Sequence, residues 1–202
     1  MRAFEAEIAE SPDDPANYAH AAEWLVGLWC YGFCTRADSF DRARQLVVRG
    51  LQLGVPSAHL STLHGVLCMG DWRWPEAARA FDQAFEHDAE MPMTHHWHAL
   101  LLSARGEHTQ AIASSERAVA LDPSVGNQVG LGASLYFARD FERLAAQMQA
   151  VVEEDPDFAE AYDWLGMALV QLERFEESVA AYEKAYALSD GLAEINAGRG
   201  HA

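Results

Sequence analysis

The chain has 202 residues, with 14 Lys+Arg against 31 Asp+Glu and a formal net charge of −17. That length suffices for one sizeable core or one extended repeat array. The charge argues against direct binding of DNA, RNA or an anionic membrane, which requires a basic patch, and favours basic or apolar partners.

Half of the residues are hydrophobic and alanine dominates, which suits closely packed helices better than strands. Three cysteines, Cys30, Cys34 and Cys68, are too few and too unevenly placed for a disulfide framework, so reduced thiols in a cytoplasmic compartment are expected. Met1–Glu10 is amphipathic and acidic, without the apolar core of a signal peptide. The longest apolar run, Trp24–Phe33, is too short to span a bilayer and reads as a buried helix.

A recurring pattern is clearest in Ala159–Asp190, where two amphipathic segments meet at Leu172–Phe175. Slots are counted from Ala159 as the first. In chain order, Met1–Ser11 fits the second helix of a half repeat (1–14), with Phe4 in slot 24 and Pro12 in slot 32. A stretched repeat follows over 15–57: helix A fits a start at Pro15, with Tyr18, Ala21, Ala22 and Leu25 apolar, while helix B, carrying Ala43, Val47 and Leu53, fits a later register. An insertion around Trp29–Ser39 accounts for the mismatch.

Repeats are then expected at 58–91, 92–124, 125–158 and 159–192. Gly65, Ala99, Gly132 and Gly166 share slot 8, where a small residue lets two helix backbones approach. Phe81, Met148 and Tyr182 share slot 24, where large side chains fill the gap between helices. Pro123 and Pro156, in slot 32, end helix B. Ala193 restarts the pattern, so a partial or capping helix is expected over 193–202, with Gly200 in slot 8. The pattern starts and stops within repeats, as in a piece of a longer array or one ended by half-repeat caps. About twelve helices, no strands and a single repeat domain over 1–202 are predicted.

The 34-residue spacing resembles the tetratricopeptide repeat (TPR), a helix-turn-helix unit. That resemblance implies an all-α, right-handed superhelical solenoid of antiparallel helix pairs. Four stretches narrow it: Tyr31-Gly-Phe-Cys-Thr-Arg-Ala-Asp-Ser-Phe40, Asp71-Trp-Arg-Trp-Pro75, His95-His-Trp-His-Ala-Leu-Leu-Leu102 and Leu135-Tyr-Phe-Ala-Arg139. In this order they resemble the C-terminal TPR regions of bacterial ToxR-type winged-helix transcriptional regulators, and the TPR segments that follow catalytic domains in some bacterial adenylate cyclases and serine/threonine kinases. The resemblance implies a sensing or protein-contacting region. The residues contain no winged-helix segment, cyclase domain or kinase glycine loop.

In this repeat type the inward slots of helix A are approximately 2, 5, 9 and 12. They give a candidate partner-binding groove of Glu23, His59, Thr62, Val66, Met69, Met93, His96, Leu100, Tyr136, Glu160, Asp163 and Met167, together with Ala19, Val26, Val129, Ala133 and others of the same slots. The groove reads as apolar in the middle and acidic at both ends. It suits a protein or peptide, or an amphipathic helix, with apolar anchors and basic residues. Self-association into a homo-oligomer is a further expectation.

The histidines allow a second reading. His95 and His98 lie one turn apart, and His64 occupies the equivalent slot one repeat earlier, close to Cys68. These four, with His59 and His96, could build the metal- or small-ligand site of a sensor or metal-dependent enzyme centred on the His-rich repeat 92–124, if they converge. Without H-E-x-x-H, C-x-x-C or a carboxylate among them, hydrogen bonding inside the repeat interface is the expected role, and no cofactor is expected. Asp71-Trp-Arg-Trp-Pro75 is expected in a turn, with Trp74 in the core, Trp72 over the turn and Pro75 in the first turn of helix B. Catalysis is not expected, since no nucleophile elbow, phosphate loop or dinucleotide fingerprint lies in a fitting context.

Overall fold

A computed structural model of the chain describes residues 2–30 and 33–189. The expected helix over 193–202, and Tyr31 and Gly32 of the first quoted stretch, lie outside the described residues. Among the described residues there are eleven α-helices and no strands. They are α1 (Arg2–Glu10), α2 (Pro15–Cys30), α3 (Asp41–Gln52), α4 (Ala58–Gly70), α5 (Trp74–His87), α6 (Pro92–Ala104), α7 (His108–Leu121), α8 (Val125–Phe137), α9 (Phe141–Glu154), α10 (Ala159–Gln171) and α11 (Phe175–Leu188). A π-helical turn, Arg36–Phe40, precedes α3. The chain divides into two compact units, Met1–Leu101 and Leu102–Ala202.

Helix lengths follow the repeat. The first helices α4, α6, α8 and α10 each have 13 residues. Their partners α5, α7, α9 and α11 each have 14. The stretched segment differs: α2 has 16 residues, and the π-helical turn follows it.

The turns inside the pairs share one construction. Trp72, Gly106, Arg139 and Glu173 all have left-handed backbones, with φ of 61°, 77°, 60° and 59°. In each case that residue's N–H reaches back three residues, and the next N–H reaches back five, as at Trp72 N to Met69 O (2.9 Å) and Arg73 N to Cys68 O (2.9 Å). This is the Schellman closure, which satisfies carbonyls that a helix end leaves open. Between repeats, aspartates take over. The carboxylates of Asp14, Asp88, Asp122 and Asp155 each accept from the backbone N–H two residues on, at 2.9–3.2 Å. Part of the acidic surplus therefore forms turns.

Each unit has its own core. In the first, Leu25, Phe40, Val47, Leu60, Leu63, Leu67, Phe81 and Leu101 are buried together. In the second, Leu131, Leu135, Leu144, Met148, Val151, Leu165 and Leu169 are. Slot 8 sets the helix spacing. A Cβ at Gly65 would lie 2.9 Å from the Phe81 ring, at Gly132 2.8 Å from Met148 Cε, and at Gly166 2.8 Å from the Tyr182 ring. Several buried hydroxyls are paired as well: Thr62 with Thr94 (2.6 Å), Ser115 with Ser134 (2.7 Å), and Ser178 donating to Gly166 O (2.9 Å).

Candidate protein-interaction site

In the first unit, α2, α4 and α6 supply the inward slots. Glu23 and His59 meet there, with Oε2 and Nε2 3.0 Å apart, and the His20 ring lies 5.6 Å from that of His59. The close approach of the His59 imidazole, aided by the charge of His20, holds the Glu23 carboxyl below its ordinary pKa against the opposing effect of burial. Met69, Met93, His96 and Leu100 are half-buried. Burial lowers the His96 pKa from its ordinary value, which favours the neutral ring.

Thr62 and Val66 do not line a surface. They are 0% and 2% exposed, Thr62 is bonded to Thr94, and Val66 is packed into the first core. The same correction applies to Ala19, Val26, Val129 and Ala133, all buried. These inward slots hold small or β-branched side chains that adjoining helices cover. The longer ones remain partly accessible.

In the second unit, α8 and α10 bring Tyr136, Glu160, Asp163 and Met167 to the inward slots, all half-buried. Tyr136 packs against Trp164, with ring centroids 5.7 Å apart at 71°, and against Phe141 at 5.8 Å. Tyr182 of α11 is buried. Its hydroxyl is pushed up to about 12 by burial first, and then by the nearby Asp163 and Tyr136.

The metal candidates do not converge. Among the described residues, no group of three or more His, Cys, Asp or Glu is placed to hold a metal ion. His95 Nε2 lies 2.9 Å from Ala89 O. The Phe85 ring receives both His95 (4.9 Å) and His98 (5.2 Å). His64 is half-buried with its pKa lowered by desolvation first, and Cys68 is buried with its thiol pKa raised by the same cause.

Two arrangements escaped the reading of slots. Asp71 ends α4 and receives both Arg36 and Arg44, with Arg44 Nη2 at 3.1 Å from Oδ1. Arg36 also donates to Gly70 O (3.2 Å) and stacks over Phe40 at 4.1 Å, while Trp29 packs on the same ring at 4.6 Å. The inserted segment is thereby fastened to the α4–α5 turn. Trp72, in that turn, is 77% exposed and meets Trp74 edge-on at 5.4 Å, so it projects from the turn rather than covering it. The other missed feature is Trp164, which no inward slot contains; its single sequence signal is a large aromatic residue next to slot 5.

This fold is the tetratricopeptide-repeat fold. Residues 159–192 match the family model described as Tetratricopeptide repeat. Solved structures agree over nearly the whole length. YrrB, described as a TPR protein with an unusual peptide-binding site, is 20% identical with a TM-score of 0.60, over 98% of each chain. TTC0263, a thermophilic TPR protein of Thermus thermophilus, is 13% identical with a TM-score of 0.74, over 91% of this chain and 97% of that one. Yeast Tom70 is 14% identical with a TM-score of 0.70, over 98% of this chain but 42% of its own. No curated protein sequence matches. Among the described residues no helix is long and apolar enough to cross a membrane.

Proposed function

We propose that the chain is a protein–protein interaction scaffold, the regulatory or sensing repeat region of a bacterial signalling or transcriptional regulator. It works in the cytoplasm, without catalysis and without a cofactor. Its partner is a protein segment with apolar anchors and basic residues, taken up on the inward faces of the first helices of the pairs. The observation that carries this reading is the partly accessible mixture in these slots: Met69, Met93, Leu100 and Glu23 in the first unit, and Tyr136, Met167, Glu160 and Asp163 in the second. Methionine and tyrosine adapt to apolar anchors, and the carboxylates select for basic flanks. The repeat match, the peptide-binding description of YrrB and the four quoted stretches support it.

The test is capture from the source lysate with a photo-reactive residue placed at Met69 or Met167. A discrete adduct that weakens with salt, on a segment rich in apolar and basic residues, supports the scaffold. Adducts indifferent to the position of the photo-reactive residue contradict it.

A further inference from the structure

We propose that the cleft between α1, α2 and α3 is a binding site for a medium-chain fatty acid; none of its lining residues falls in an inward slot. The cleft holds about 310 Å³, room for about ten water-sized groups of about 30 Å³ each. On α3, Arg42, Gln45, Leu46 and Arg49 follow the i, i+3, i+4, i+7 spacing, so a single helix face lines it. Phe4 and Ile8, one turn apart on α1, supply an apolar wall, and the buried Tyr18 and Ala21 of α2 supply the floor. The Tyr18 hydroxyl is committed to Pro12 O at 2.9 Å, so its ring offers apolar surface.

The charges choose the ligand. Arg42 is engaged by Glu5 of α1, Nη2 to Oε1 at 3.0 Å. Arg49 has no carboxylate partner among the described residues. One uncompensated guanidinium, a turn away from the Gln45 amide, matches one carboxylate, and the apolar walls match its alkyl chain. A phosphate dianion would bring a second charge with nothing to meet it. The net charge of −17 repels an anion only over about 8 Å at physiological salt, so the local cation decides.

The second unit contains a comparable cleft of about 290 Å³, with α9, α10 and α11 in the places of α1, α2 and α3. There the cation Arg174 is held by Glu177 through two hydrogen bonds, at 2.7 and 2.8 Å, and Glu142 adds a further negative charge. The repeat supplies a cleft in both units, and the side chains make the first of the two receptive to an anion.

The test titrates octanoate into the full chain by isothermal calorimetry, with octan-1-ol and octylammonium as probes of equal length that lack the negative charge. Octanoate should bind at one site, about tenfold more tightly than either. Arg49→Gln should lower octanoate affinity about tenfold and leave the melting temperature of the free protein unchanged, with Arg49→Lys between the two. Gln45→Glu, which places a carboxylate at the same rim, should abolish binding independently. Arg174→Gln, in the comparable cleft, should bind as the parent does. No saturable octanoate binding overturns the inference. Equal or higher affinity for the alcohol or the ammonium overturns it too, and leaves an apolar cleft indifferent to anions. Parental affinity in both Arg49→Gln and Gln45→Glu does the same. Octanoate binding that is lost in Arg174→Gln places the ligand in the second unit and overturns the assignment to the first.

Discussion

Gly166 on α10 lies directly beneath the ring of Tyr182 on α11, so close that a Cβ at Gly166 would sit 2.8 Å from the ring and 2.9 Å from two more of its atoms. Tyr182 is 2% exposed and its rigid ring cannot withdraw. Gly166→Ala should therefore cost about 2 kcal/mol, the ordinary cost of overpacking. At the equivalent Gly132 the obstacle is the tip of Met148, a flexible side chain. There the helix gain of about 1 kcal/mol from Gly to Ala offsets the strain, and Gly132→Ala should lie within about 1 kcal/mol of the parent. Urea denaturation of both variants checks the difference; equal losses would refute the mechanism.

The left-handed residues give a second comparison. Trp72, Arg139 and Glu173 carry φ near 60° without being glycine, while Gly106 fills the same slot in its repeat. Arg139→Gly and Glu173→Gly should each stabilise by about 0.5–1 kcal/mol, whereas Gly106→Ala should destabilise by a similar amount. Thermal melts read the sign. A loss on Glu173→Gly would show that its side chain, and not the closure, holds the turn.

Much of this was legible beforehand. The period of Ala159–Asp190 placed the helix starts at Ala58, Pro92, Val125 and Ala159, each where a helix begins. That works because slots 8 and 24 meet face to face, so small and large residues recur together. The site was less legible. Inward slots mark direction, while accessibility depends on side-chain length: Thr62 and Val66 are covered where Met69 and Met167 are not. Asp71 with Arg36 and Arg44 could not be read at all, since those arginines lie 35 and 27 residues away, one in the π-helical turn and the other on α3.

That arginine pair yields a pH prediction. The Arg44 hydrogen bond, followed by the charges of Arg44 and Arg36, holds the Asp71 carboxyl below the usual aspartate value. Its side chain is 18% exposed. A depressed carboxylate stabilises the fold above its unfolded pKa of about 3.9, and that contribution fades as pH falls through the lower folded value. Asp71→Asn should cost about 2 kcal/mol at neutral pH, and the gap to the parent should narrow in acid below that point. Melting temperatures of both proteins across the acid range decide; a gap independent of pH would show that packing of the inserted segment, and not charge, is responsible.

Ser178 offers a check on the buried hydrogen bonds. It is 0% exposed, and its hydroxyl donates to Gly166 O at 2.9 Å. Ser178→Ala should cost about 1 kcal/mol, and Ser178→Val more, because the added methyl groups have no room beside α10. Equal stability of Ser178→Ala and the parent would mean that water replaces the lost donor.

The most direct test of the central claim places a photo-reactive residue either at Met167, on the inward face of α10, or at the exposed Val179 of α11. The scaffold account predicts one salt-sensitive adduct from source lysate at position 167, carrying a segment with apolar and basic residues, and none of that identity from 179. The same adduct from both positions, or from 179 alone, would contradict it.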